Sequence, residues 1–214
     1  MNTEGNGTKT GLVDDALCLA VQVSKGHTYG HAETPLSLHV AAAASICARV
    51  TDDEEVITAV LLDAMPRPPR PSMCDAAQLF GPSVLALLAD LSGLHLQDTP
   101  SECWRSSVQM HLEILHRPRD YRTREACLGA LLVEAYDLMA DLYEAREKAW
   151  PWHGKADPET QLWRHEQYLE TLRPRMKQLR AFREYDDIVL RGIPLYVPGR
   201  LPHFYDNPDY DMFE

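Results

Sequence analysis

Apolar positions recur along most of this chain at intervals of three and four residues, the spacing that lines one face of an α-helix. The first such run covers Leu12 to Ser24, with Val13, Ala16, Leu17, Ala20 and Val23 on a shared face. After a loop holding Gly26 and Gly30, the pattern predicts a second helix in "PLSLHVAAAASICARV". Thr34 caps it, and Pro35 takes the first position, where a missing N–H costs no helical bond. This segment is apolar almost all round, which predicts a central place in the core. "TDDEEVITAVLLDAM" reads as a third helix, with acids in the first turn where the macrodipole favours them. The prolines after Met65 stop it.

Ser72 opens a short helix to Phe80, Gly81 breaks it, and "PSVLALLADLSG" makes another. Ser101 caps "ECWRSSVQMHLEILHR". The longest helix is expected from Thr123 to Trp150, with Cys127, Ala130, Leu131, Ala135, Leu138 and Leu142 as its core stripe. Asp157 and Pro158 restart a helix that runs to Tyr185, with a break at Pro174. No segment reads as a strand, and no repeat is present. The fold class predicted is all-α, a bundle of about eight helices around two very apolar ones. Residues 1–11 read as a disordered leader and 12–195 as a single helical domain. Residues 196–214, rich in proline, aromatics and acid, read as an extended tail that packs on the body or binds a protein partner.

Composition narrows the class. The 214 residues suffice for one sizeable core, and a formal net charge of −11 argues against nucleic acid as a partner. No apolar run approaches a membrane span, and the first residues lack a signal-peptide pattern. The five cysteines are scattered without a CxxC, which points to buried free thiols in a reducing cytoplasm. Cations cluster in "HRPRDYRTR" (116–124) and "RPRMKQLRAFR" (173–183).

Three polar residues interrupt apolar helix faces: His39 in the second helix, Asp63 at the end of the third and Asp137 midway along the longest. An unpaired carboxylate in a low-dielectric core costs several kcal/mol. Such acids either converge on a cation or pair with arginines.

The segments "TPLSLHV" (34–40), "TAVLLDAMPR" (58–67), "FGPSVLALLADLS" (80–92) and "LLVEAYDLMAD" (131–141) stand in an order that resembles one family. It is the RelA/SpoT-type hydrolase domain of the HD superfamily, which removes pyrophosphate from the 3′ position of ppGpp and pppGpp. That family carries "TPYI-x-HP", "AALLHDxVED", "FGxxV" and "LLVKLADRLHN". The resemblance covers residues 12 to 145 and implies an HD-like helical domain. It also implies that His39, Asp63 and Asp137 are metal ligands for Mn²⁺, and that the chain forms a homodimer as HD relatives do. The departures are specific. Leu62 replaces the histidine of the His-Asp pair, Pro66 and Arg67 replace the water-orienting Glu-Asp pair, and Glu134 and Asp141 put acid where a polyphosphate lies. The base-holding Arg-Lys becomes Tyr29-Gly30.

The resemblance then implies a degraded site. One reading is a catalytically impaired pseudo-hydrolase acting as a regulatory or partner-binding module, with no metal. The alternative is a Mn²⁺-dependent nucleotide phosphohydrolase with altered ligands, in which Glu134 or Asp141 supplies a fourth ligand or the base. A third is a nucleotide sensor that binds through Lys25, Tyr29 and Arg105.

Overall fold

A computed structural model of the chain describes residues 11–29, 34–65, 72–94, 103–117, 121–144 and 158–197. These hold eight α-helices: α1 (Leu12–Val23), α2 (Leu36–Cys47), α3 (Glu54–Asp63), α4 (Met73–Leu91), α5 (Trp104–Leu115), α6 (Tyr121–Glu144), α7 (Pro158–Met176) and α8 (Arg180–Asp187). A π-helical turn (Ile188–Gly192) and a 3₁₀ turn (Ile193–Tyr196) follow. The all-α expectation of about eight helices holds. The chain divides into two compact units, Met1–Ser92 with Tyr121–Ala130, and Gly93–Asp120 with Leu131–Glu214.

In the first unit α3 is the central helix. Asp53 starts it, its carboxylate accepting the backbone N–H groups of Glu55 and Val56 at 3.0 and 3.3 Å. Every residue from Val56 to Asp63 is then buried, because α1, α2 and α4 all pack on this helix. Each fully buried Val, Leu or Ile there contributes about 1.5–3 kcal/mol relative to exposure. The central role expected of α2 is corrected. It buries one stripe, Leu36, His39, Val40, Ala43, Ala44 and Cys47, and leaves Leu38 61% exposed. Its alanines read as core in the sequence, but a methyl group loses little by staying in water.

Thr34 does not cap α2. The residue before a proline is driven to extended backbone, and Thr34–Pro35 pairs antiparallel with Thr28–Tyr29 as strands β2 and β1. The helical reading missed this two-residue ladder. It places Pro35 at the cap position, with no side-chain bond to the helix.

Two turn signals in the sequence hold in α4. Ser72 and Asp75 form a reciprocal capping box. Gly81 breaks the helix with φ 89° and ψ 170°, a backbone region open in practice only to glycine, and Pro82 starts the second half.

In the second unit α5 packs on α7, and α7 on α8 and the π turn. The helix expected to follow Ser101 begins at Trp104; Ser101 lies outside the described residues. The break expected at Pro174 falls later. Pro174 sits in the last turn of α7, where one lost N–H is tolerated, and the chain leaves the helix at Lys177–Leu179. The six predicted stripe residues of α6 are all buried, and so is every residue from Thr123 to Val133. Cys47 and Cys127 are buried thiols as expected, but Cys18 and Cys103 are exposed. No described helix is long and apolar enough to cross a membrane. The expected leader, the Asp157 cap, the end of α6 near Trp150 and the tail beyond Val197 lie outside the described residues.

Candidate functional site

His39 lies on the buried stripe of α2, 8% exposed. The β1–β2 ladder carries Tyr29 over it. The two rings stack with centroids 3.7 Å apart and planes 16° from parallel. The imidazole also donates to the backbone carbonyl of Ala64, the residue after α3. Burial pushes its pKa down to about 4, and the Ala64 carbonyl opposes that shift only in part. At neutral pH the ring is therefore uncharged. Asp63, one residue before that carbonyl, is 5% exposed, and Leu62 is fully buried. The structure thus joins His39 to the end of the helix that carries Asp63.

Asp137 is partly exposed on α6 and belongs to the second unit. Among the described residues, no group of three or more His, Cys, Asp or Glu side chains is placed to hold a metal ion. A Mn²⁺ ion of the implied kind needs imidazole and carboxylate donors, and Leu62 brings no donor atom.

Glu134, expected to repel a polyphosphate or serve a metal, is engaged elsewhere. Arg164 donates to its carboxylate at 2.8 Å and to the Leu94 carbonyl at 2.8 Å. The Arg164 guanidinium also lies 5.7 Å from the Tyr168 ring centre. Burial pulls its pKa down, but the Glu134 charge and hydrogen bond together with Tyr168 and Tyr185 outweigh it, so it stands above its usual value. Asp141 is on α6, with its side chain outside the described part. Of the three suggested nucleotide contacts, Lys25 is exposed and Tyr29 is committed to His39. Arg105 is exposed in the second unit, 5.0 Å from the Trp163 ring centre. Pro66, Arg67, Gly30 and His31 lie outside the described residues.

Three polar clusters escaped the sequence reading. In the first unit Arg122 binds both carboxylate oxygens of Asp53, at 2.7 and 3.1 Å, and donates to Ser83 Oγ at 2.9 Å and to Glu55. Ser83 in turn donates to Glu55 at 2.7 Å. These bonds, the Ser83 hydroxyl first and the guanidinium second, hold the Glu55 carboxyl below its usual range. One cation therefore ties the start of α3 to α4 and α6. In the second unit His111 meets the Tyr168 hydroxyl and His165 the Tyr185 hydroxyl, each at 2.8 Å and each buried. A signal for the latter two was present: His165, Leu169 and Leu172 recur at helical spacing on α7. Arg122 gave none, since it sits in a run of cations that reads as a solvated face.

No family model matches the chain, and no curated protein matches it.

Proposed function

We propose that this chain is a degenerate relative of the RelA/SpoT-type HD hydrolases, catalytically impaired, which acts as a regulatory or partner-binding module in a reducing compartment. The observation that carries the reading is the corner where α2 meets the end of α3. A buried, uncharged His39 spends one ring nitrogen on the Ala64 carbonyl and lies flat against Tyr29, and Leu62, two residues before Ala64, is fully buried. In the family pattern the position of Leu62 is a ligand and that of Tyr29 belongs to the base-holding loop. Here both are used for packing. Neither the hydrocarbon of Leu62 nor a stacked phenol gives a metal-bound water anything to bind or to transfer a proton to. A protein partner reached through residues 196–214 belongs to the same reading.

The test is incubation of purified protein with ppGpp and excess Mn²⁺, following pyrophosphate release. The reading expects none above the protein-free rate. Release that His39→Ala abolishes would replace it with the altered-ligand phosphohydrolase.

A further inference from the structure

The serine hydroxyls of the helices have different partners. Ser92 and Ser106 donate to the backbone carbonyls of Ala89 and Cys103, three residues back, at 2.7 and 2.8 Å. Ser72 donates to Asp75 within its capping box. Ser83, the second residue after the Gly81 break in α4, is placed otherwise. Its hydroxyl donates to Glu55, in the first turn of α3, at 2.7 Å. The same oxygen accepts from Arg122, in the first turn of α6, at 2.9 Å. Arg122 also donates to Glu55 and is itself held by both oxygens of Asp53.

An acceptor for the hydroxyl proton, oriented in turn by a third group, is the arrangement that activates a serine. A carboxylate alone is a weak base toward a hydroxyl. Arg122 supplies what is missing, because a guanidinium on the oxygen stabilises negative charge as it develops there. Together with the Ser83 hydroxyl, the same cation keeps Glu55 ionised at neutral pH, so the accepting form is present. The Glu55 and Arg122 side chains are each 40% exposed and Ser83 is half-buried, which opens the oxygen to a reagent. Asp53 and Glu55 against Arg122 leave the cluster one unit negative. It therefore repels an anionic substrate and admits an uncharged one.

We propose that Ser83 is a nucleophile toward uncharged carboxylic esters, with Glu55 as its base and Arg122 as the electrostatic partner of its oxygen. In the step, Oγ forms a bond to the acyl carbon and the ester C–O bond breaks. The hydroxyl proton passes to Glu55 and leaves with the departing alcohol. The acyl group stays on Ser83 until water removes it as the carboxylic acid. The proposal uses no residue of the His39 corner and does not rest on the ancestry argued above.

Treatment of the native full chain with a biotinylated alkyl fluorophosphonate, an uncharged ester mimic, tests it, with adducts mapped by peptide mass spectrometry. The expected result is an adduct on Ser83, formed at least about a hundredfold faster than on Ser72 and than on Ser83 in chain unfolded by guanidinium chloride. Glu55→Gln, checked to keep the native circular dichroism, slows it at least about tenfold. The native chain releases a burst of p-nitrophenol from p-nitrophenyl acetate, and Ser83→Ala does not. Absence of a Ser83 adduct in the native chain overturns the proposal without recourse to any variant. Equal labelling of native and unfolded chain overturns it too, as does an undiminished rate in Glu55→Gln.

Discussion

The imidazole of His39 lies on the phenol of Tyr29 with 3.7 Å between ring centres. One strand residue and one helix residue, ten positions apart in the chain, thereby close the corner where α2 meets α3. The contact explains why a polar side chain is tolerated on an apolar stripe. The ring keeps its hydrogen bond to Ala64, and the stack replaces water on its face.

Acid should loosen the fold through its buried histidines. Burial holds His39 down at about 4, and burial together with the Arg164 charge holds His165 down at about 3. In the unfolded chain both take up a proton near pH 6.5. The unfolded state therefore binds more protons below pH 6.5, and stability falls as the pH drops toward the folded values. The slope is at most about 1.4 kcal/mol per pH unit for each group. Urea midpoints at pH 7 and pH 5 check this. His39→Leu should flatten the dependence, and a midpoint equal at both pH values contradicts it.

Gly129 marks a close approach inside the first unit. A Cβ added there would stand 2.8 Å from Cys47 Sγ and 3.4 Å from Val60 Cγ2. Gly129→Ala in an ordinary helix gains about 0.5–1 kcal/mol. Here it should cost about 1–3 kcal/mol through overpacking. Adding Cys47→Ala removes the sulfur and should recover most of the loss. Equilibrium unfolding of both variants measures it, and a stabilised single variant refutes the packing.

Arg164 is buried with its charge met by Glu134. Arg164→Met leaves that carboxylate and the Leu94 carbonyl without their donor and should cost about 3 kcal/mol. The double variant Arg164→Met/Glu134→Leu should be more stable than the single one, since it removes the stranded acid. Additive losses in a double-mutant cycle would show that the two side chains do not interact.

The thiols should divide by location. Burial, with the Glu125 and Asp53 charges second, pushes the Cys47 thiol up to about 12, so it carries almost no thiolate at pH 8. Brief iodoacetamide treatment of native protein should alkylate Cys18 and Cys103 and spare Cys47 and Cys127. Mapping by mass spectrometry reads the outcome, and labelling of Cys47 at the rate of Cys18 contradicts it.

The parts of this fold legible in the sequence are those set by local chemistry. Ser72 and Asp75, Gly81 before Pro82, the acids at Asp53–Glu55 and the α6 stripe from Cys127 to Leu142 all act within a few residues. What the pattern concealed depends on partners distant in the chain. Arg122 finds Asp53 and Ser83 across 69 and 39 positions. Arg164 finds Glu134 and Leu94 across 30 and 70. Such pairs leave no period in a sequence. The alanine-rich α2 misled for a different reason, because hydrophobicity counts a methyl as core while packing is indifferent to it. Of the candidate site, the resemblance to HD hydrolases set out His39, Asp63 and Asp137 as ligands. The bond from His39 to the Ala64 carbonyl, the stack with Tyr29 and the capture of Glu134 by Arg164 were not part of that expectation.

The proposed function rests on a packed His39 corner that holds no working metal centre. Titration of Mn²⁺ into the full chain, with free ion counted by electron paramagnetic resonance, tests it most directly. The account predicts no saturable site at micromolar Mn²⁺ and the same curve for His39→Ala. One equivalent bound by the native chain and lost in both His39→Ala and Asp63→Asn would contradict it.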